Sequence, residues 1–329
     1  MRGTTLRQLR AFSLVARHHS FGRAAAELHL SPSAVSLQIK ELEQIVGLPL
    51  FGRNGRAACL TPAGEIMLAD VNRALRALKD ADDSVNRLRG RETGVVSIGM
   101  VSNAKYFIPR LLARFHAAHP GVELRVLVGN REKLLRQVSG GEVDFAIMGQ
   151  PPRDLGARSE ALGPQPLAVI AAPEHRLAGQ RAIPPEALAT EEFIVREAGS
   201  GTRAAMERFF HETHISPPRI IEFTSNESIK QAVIGNMGLA FVSLHTAGLE
   251  LQTGILVVLD VVGLPLIRTW HVVSLETGLM PEAAESLRRF IVEFGGAFIE
   301  RQFSGSEPPL DPPPVAAAAA SSAIMLPSN

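Results

Sequence analysis

The sequence predicts an all-α amino-terminal domain, one long connecting helix, and a larger α/β domain of two lobes. Three observations carry this. Residues 1–60 show helical apolar spacing up to a turn rich in glycine and arginine. Residues 61–88 keep apolar positions at alternating steps of three and four. From Gly94 onward, β-branched runs alternate with helical stretches, the rhythm of parallel sheets covered by helices.

Within residues 1–60, Leu6, Leu9 and Phe12 recur at helical spacing and supply one wall of a small core. Ser20 caps a short run, FGRAAAEL, whose Ala24, Ala25 and Leu28 form a small-residue face that another helix can cross closely. Only His29 and Leu30 separate that run from Ser31, which suits the tight connection of a helix-turn-helix. Ser31 is an N-cap, Pro32 stands at the first helical position, and Gly47 ends the helix.

At about 100° per residue, Val35, Ile39, Leu42 and Val46 share the core side of this helix, and Ser33, Ser36, Leu37 and Lys40 share the other. Short hydroxyls can exchange hydrogen bonds with base edges, Leu37 can meet a thymine methyl, and Lys40 can reach a phosphate. Taken alone, the face is that of a solvated amphipathic helix; beside a helix-turn-helix connection it becomes a recognition face. Leu50–Phe51 then leads into GRNGRAA, where Gly52 and Gly55 permit a turn carrying Arg53 and Arg56, a basic wing. The candidate DNA contacts are therefore Ser31, Pro32, Ser33, Ser36, Leu37, Lys40, Arg53 and Arg56. Residues 1–60 hold eight Arg or Lys against three acidic residues, whereas residues 91–329 hold 21 against 25, so the basic end is the DNA end although the net charge is only +1.

Thr61 and Pro62 start a helix that runs to about Leu88, with Leu68, Val71, Leu75, Leu78 and Val85 on one seam. Such a seam pairs with a second helix or packs on its own domain; its heptad spacing favours pairing. Arg87–Gly94 reads as a hinge.

VVSIGM, VELRVLV and DFAIMG are strands separated by helices at Pro109–His119 and Glu132–Val138. LAVIAA, FIVRE, RIIEF, LAFVSL, ILVVL and IRTWHVVSL follow, with helices at Thr202–His211 and Glu227–Ile234 and a last one from Pro281 to about Gln302. Two sheets of similar make-up, linked near Gln150–Pro152 and Gly263–Pro265, give a two-lobed, periplasmic-binding-protein-like domain. The boundaries expected are 1–60 for DNA binding, 61–90 for the linker helix, and 91–303 for the effector domain. Within the last, the first lobe takes 94–150 and 266–303 and the second takes 151–265. Residues 304–329, rich in Pro and Ala, read as a disordered tail.

A ligand between such lobes meets strand carboxyl ends and helix amino ends, which favour anions. Ser102 and Asn103 follow the first strand, and Gly199, Ser200, Gly201, Thr202 and Arg203 stand between a strand and a helix. Gly149 and Gln150 end the third strand, and Asn226 opens a further helix. These are the candidate effector contacts, and an anionic metabolite is the expected guest.

Other chemistries find no support. Cys59 is the only cysteine, which excludes an internal disulfide and a multi-cysteine metal site. GSGTR lacks the lysine of a P-loop, Ser200 is outside a nucleophile elbow, and HETH lacks metalloprotease spacing. No catalytic residue, metal or bound cofactor is expected. No apolar run approaches the roughly 20 residues of a membrane span and no leader is read at the amino terminus, so a cytoplasmic protein is expected.

The run Leu9-x-x-Phe12, Ser20–Phe21, Ser31-x-Ser33-x-x-Ser36-x-Gln38-Ile39-x-x-Leu42-Glu43, Gly47-x-x-Leu50-Phe51, Arg53 and Leu60-Thr61-x-x-Gly64 resembles the winged helix-turn-helix of LysR-type transcriptional regulators. Leu37 departs from the polar or basic residue that many members carry there, which bears on the operator sequence. The resemblance implies linker helices that pair subunits into a homodimer or homotetramer, double-stranded promoter DNA and RNA polymerase as partners, and a small-molecule effector. Within that family, Ala104-Lys105-Tyr106-Phe107-x-Pro109-x-Leu111-Leu112, Gly129-Asn130-Arg131-Glu132, Ala146-Ile147-Met148-Gly149 and Ser225-Asn226-Glu227-x-Ile229-Lys230-Gln231-Ala232-Val233 resemble the activators of CO2-fixation operons. That implies a sugar phosphate, phosphoenolpyruvate or NADPH as effector. The alternatives are a LysR-type regulator of another metabolic operon and, from other classes, a solute-binding protein or an enzyme with an appended DNA-binding domain.

Overall fold

A capping box starts the chain: Gln8 N donates to Thr5 Oγ1 (3.3 Å) and Thr5 N donates to Gln8 Oε1 (2.9 Å), satisfying two amides at the head of α1 (Leu6–His18). The computed structural model describes residues 3–54, 57–88, 94–151, 156–276 and 280–303. Ser20 caps α2 (Phe21–Leu28) and Ser31 caps α3 (Pro32–Val46), each accepting from the amide three residues on. Gly47 ends α3 in the left-handed conformation, φ 79°. Phe12, Val15, Ala24, Ala25, Val35, Ile39 and Leu42 meet in one core. Leu6 does not join them: as the first residue of α1 it lies at the bundle's edge, 46% exposed.

The wing is a hairpin of β1 (Phe51–Asn54) and β2 (Ala57–Leu60), with Arg53 opposite Ala58. Arg56 lies outside the described residues. Thr61 Oγ1 accepts from Gly64 N (3.1 Å) to cap α4 (Pro62–Leu88), which starts close under Leu50. A Cβ on Gly64 would come within 2.2 Å of the Leu50 carbonyl oxygen. The expected seam divides. Val71 is buried and Leu68 and Leu75 half-buried against the amino-terminal core, where Met67 from outside the seam joins them, whereas Leu78 is exposed and the Val85 side chain lies outside the described residues. The first half of the stripe therefore serves its own domain, because α1 lies alongside it.

Asn72 faces two ways: it accepts from Ser13 Oγ of α1 (2.7 Å) and donates through Nδ2 to the Gly140 carbonyl of the effector domain (2.8 Å). The hinge expected at 87–94 lies mostly outside the described residues.

The effector domain opens with β3 (Gly94–Val101), a 3-10 turn (Ser102–Tyr106), α5 (Ile108–Ala118), β4 (Val122–Gly129), α6 (Arg131–Ser139) and β5 (Phe145–Met148). After β6 (Ala157–Ala171) come β7 (Glu192–Arg196), α7 (Gly201–Glu212), β8 (Arg219–Phe223), α8 (Asn226–Ile234) and β9 (Leu239–Ser243). The domain closes with α9 (Gly248–Thr253), β10 (Val257–Val258), β11 (Leu266–Leu275) and α10 (Glu282–Phe303). The helix α9 was not expected, and ILVVL contributes only two strand residues.

The two lobes share one sheet rather than having one each. Its order is β4-β3-β5-β11-β6-β9-β7-β8, with β10 on β6. The cause is the length of β6 and β11, which pair from Leu167↔Leu266 to Ala157↔Leu275. One end of each strand belongs to either lobe: Leu162 and Trp270 lie in the first lobe's core, Leu167 and Leu266 in the second's. The change of lobe thus falls inside these strands, not at Gln150–Pro152 or Gly263–Pro265. A Cβ on Gly296 would come within 2.6 Å of the Leu162 carbonyl oxygen, so α10 lies close over β6.

Candidate functional site

On α3, the cap and the 3.6-residue period place Ser31, Pro32, Ser33, Ser36, Leu37 and Lys40 on the exposed side, while Val35, Ile39 and Leu42 face the core. Leu37 is 57% exposed, an apolar group on an otherwise polar face. Ser31 Oγ lies 2.9 Å from Ser33 Oγ, leaving Ser36 and Lys40 unengaged by this pair. A convex helix face of hydroxyls, one isobutyl group and one ammonium, beside a hairpin, has the shape and donor set for a major groove.

The second site is a cleft between the lobes, open to solvent. Loops after three first-lobe strands supply Ser102 and Asn103, Asn130 and Arg131, and Gly149 and Gln150. The loop after β7 supplies Ser200, Gly201 and Thr202, and the strands themselves supply Arg196, Gln165 and Arg268. The amino ends of the 3-10 turn, α6 and α7 converge here. Ser200 makes no side-chain cap, so the first amides of α7 keep their donors.

Charge in the cleft is of one sign: three arginines line it and, among the described lining residues, no carboxylate. Arg268 Nη1 donates to the Gly201 carbonyl (2.9 Å) at the head of α7. Burial, with the positive Arg131 and Arg208 nearby, pulls its pKa down to about 10. Arg131 Nε donates to the Gln150 carbonyl (3.0 Å). Arg196 is buried; its Nη1 donates to Asn226 Oδ1 (2.9 Å) and Asn103 Oδ1 (3.3 Å), while Glu197 takes its Nε (2.8 Å). Arg196 is thus balanced by Glu197, which also accepts from its Nη2 (2.9 Å), whereas the charge of Arg131 acts on Arg268, and an anion beside these two relieves that repulsion.

Gln165 adds a polar acceptor. It is 3% exposed, and its Oε1 has no hydrogen-bond partner. It lies over Gly149, where a Cβ would come within 2.0 Å of that oxygen, so a larger residue would displace the Gln165 amide from this position. A buried carbonyl without a donor costs free energy that a ligand N–H or O–H recovers.

Of the residues expected at the cleft, Ser102, Asn103, Gly149, Gln150, Gly201 and Thr202 line it. Arg203 does not. One residue past Thr202 the helix has turned by about 100°, and the guanidinium donates to Glu207 (2.5 Å) and to the Arg196 carbonyl (3.2 Å) instead. Asn226 is 4% exposed and stands behind the lining, where it fixes Arg196 and Asn103. Ser200, expected with Gly201 and Thr202, lines it too, whereas sequence reasoning missed Asn130, Arg131, Gln165, Arg196 and Arg268. Asn130 and Arg131 carried a readable signal, a strand end at a helix start; Arg196, Gln165 and Arg268 sit within strands that read as core.

Among the described residues no group of three or more His, Cys, Asp or Glu could hold a metal ion, and no helix is long and apolar enough to cross a membrane.

Family models match both domains. Residues 6–65 match the bacterial regulatory helix-turn-helix protein model of the lysR family, and residues 89–295 match the LysR substrate binding domain. The chain is 46% identical over 286 residues to the HTH-type transcriptional regulator CbbR of Rhodospirillum rubrum, covering 87% of this chain and 95% of the relative. It is 45% identical over 288 residues to the RuBisCO operon transcriptional regulator of Allochromatium vinosum, covering 88% and 95%. The solved regulatory domain of Synechocystis PCC6803 CcmR in complex with 2-PG superimposes with a TM-score of 0.60 at 35% identity, covering 62% of this chain and 98% of that domain. With a recognition helix and wing at one end, a two-lobed cleft at the other and relatives that match across both, this chain belongs to the LysR family of DNA-binding transcriptional regulators.

Proposed function

We propose that this regulator activates a ribulose-bisphosphate carboxylase operon when a phosphorylated or otherwise anionic metabolite occupies the cleft between its lobes. The observation that carries the ligand class is the meeting of Arg131, Arg196 and Arg268 with three helix amino ends and no lining carboxylate. The orphan Gln165 Oε1 adds a requirement for a donor, which a hydroxyl-bearing anion such as a sugar phosphate meets. The operon is inferred from relatives at 45% and 46% identity, one of which is named for it. The relative whose regulatory domain holds 2-PG points to the same ligand class.

The chain works by binding rather than catalysis, in the cytoplasm, on double-stranded promoter DNA next to RNA polymerase. Ser31, Ser33, Ser36 and Leu37 read bases, and Lys40, Arg53 and Arg56 meet phosphates. Two or four copies, paired through the exposed part of α4 and the effector domains, present recognition helices to a divided site. The ligand shifts the relation of the lobes, and the linker helices pass this on as a change in DNA bend.

Footprinting and bend-angle assays on promoter fragments of the carboxylase operon, with and without 2-PG, sugar phosphates, phosphoenolpyruvate and NADPH, test the reading. At least one anion is expected to shorten the footprint or relax the bend at unchanged occupancy. Identical footprints and bends for every anion, or no preference for this promoter over unrelated DNA, would sink it.

A further inference from the structure

Two of the stretches singled out in the sequence, Ala104–Leu112 and Ser225–Val233, belong to different lobes and meet at one spot. Residues three apart share a face of a 3-10 helix, so in the turn Ser102–Tyr106 both Asn103 and Tyr106 reach across to α8. Asn226 Nδ2 donates to Asn103 Oδ1 (2.8 Å), and beside it the Tyr106 hydroxyl donates to Glu227 Oε1. Lys230, one turn further along α8 and 3% exposed, lies 3.1 Å from Glu227 Oε2 and 2.6 Å from Glu250 Oε1. Its ammonium and that of Lys105 each lie 5.1 Å from the centre of the Tyr106 ring. The ring therefore lies within cation–π reach of two ammonium groups, with its hydroxyl on a carboxylate. Tyr106 does not line the cleft.

We propose that Tyr106 and Glu227 form a clasp between the lobes and that Tyr106 is a positioning residue, setting ligand affinity without touching the ligand. The turn that carries Tyr106 also carries Asn103, whose Nδ2 donates to Thr202 Oγ1 (2.9 Å) and whose Oδ1 receives Arg196 Nη1. Holding one end of a five-residue turn fixes the other, so the clasp keeps Asn103 against the second lobe's ligand-facing side chains. It acts only in the form with the lobes together. Removing it lowers that population and weakens apparent binding by the same factor. The environment of the pair agrees: burial, the Glu227 hydrogen bond and its charge push the phenol above its ordinary pKa. Burial raises the Glu227 carboxyl too, but hydrogen bonds from Tyr106 and Lys230 outweigh it and hold the group below the usual range.

The inference rests on the cleft being the effector site, and the test separates the two. Tyr106 is the only tyrosine and Trp270 the only tryptophan, so phenolate absorbance and indole fluorescence report single groups in the full-length protein. In the wild type, phenolate is expected to appear only as the fluorescence reports unfolding at alkaline pH; in Glu227→Gln it appears before unfolding. Tyr106→Phe is expected to bind 2-PG, or whichever tested anion the wild type binds, about tenfold to a hundredfold more weakly, with ligand-free DNA affinity unchanged. Adding Glu227→Gln to Tyr106→Phe should weaken binding little further. A wild-type phenol that ionises near its ordinary value in the folded protein overturns the clasp, as does a Tyr106→Phe protein that binds as the wild type does. If the wild type binds none of the anions, the cleft reading fails, and the phenol titration alone decides for or against the clasp.

Discussion

Arg268 and Arg203 differ in what a side chain's address means. Both are arginines of the second lobe's side of the cleft; Arg268 reaches the Gly201 carbonyl from a crossover strand, and Arg203 turns back to Glu207 and the Arg196 carbonyl. Arg268→Ala is expected to weaken anion binding at least tenfold, since a charged hydrogen bond is worth about 1.5–3 kcal/mol. Arg203→Ala should change it less than about threefold. Calorimetric titration of both variants checks the contrast, and equal losses would return Arg203 to the site. Gly149→Ala makes a second test at this scale. Its Cβ would collide with the tip of Gln165, a side chain that can swing aside, so the fold survives and the cleft floor does not. Ligand response should fall at least tenfold with the melting temperature within a few degrees, whereas a wild-type response would mean that Gln165 Oε1 plays no part. Glycine at 149 was legible as a strand end near a ligand. Arg196, Gln165 and Arg268 were not, because a strand residue takes its meaning from what lies across the sheet, and that became visible only once β6 and β11 crossed between lobes.

At the scale of elements, the amino-terminal helices were legible because their ends are written locally. Ser20 and Ser31 accept amide hydrogens three residues on, Pro32 needs no amide partner, and Gly47 takes a left-handed φ of 79°; the Thr5 cap of α1 emerged only in the structure. These signals fix where α3 starts and hence which residues share its exposed face. Ser33→Ala with Ser36→Ala is expected to change sequence preference at one or two operator positions, about 1–3 kcal/mol for each base contact. Lys40→Ala should weaken binding to all sequences alike and flatten its salt dependence. Competition assays across an operator library at two salt concentrations separate the outcomes, and an unchanged preference in the serine variant would move base reading off this face. The seam on α4 was half legible. Steps of three and four mark one stripe, but the same spacing serves a partner helix or a neighbouring core. Here Val71 went to the core because α1 lies beside it. The single sheet was not legible either: LAVIAA reads as a strand by composition, and its extension back to Ala157, through Ser159, Glu160, Gly163 and two prolines, does not.

At the scale of the whole molecule, the question is how a ligand in the cleft reaches helices in another domain, and the structure offers a continuous path. The amino end of α6, at Asn130 and Arg131, borders the cleft. Its carboxyl end is capped at Gly140, and the Gly140 carbonyl accepts Asn72 Nδ2 from α4, whose Oδ1 in turn receives Ser13 Oγ of α1. The nine residues of α6 thus join the cleft to Asn72, and Asn72 touches α1, which packs on the recognition helix α3 in the amino-terminal core. Coupling between two sites is reciprocal: if ligand changes affinity for operator DNA by some factor, DNA changes affinity for ligand by the same factor. Asn72→Ala removes both hydrogen bonds while leaving the recognition face and the cleft lining intact. The variant is therefore expected to bind operator without ligand, and ligand without operator, within about threefold of wild type. The difference between ligand affinities measured with and without operator should vanish, and with it the ligand-dependent change in bend. Titrating ligand against free and operator-bound protein, wild type and variant side by side, measures this without reference to transcription. A variant that keeps the full wild-type difference would place the coupling on another route and leave Asn72 as a local contact between two neighbouring domains.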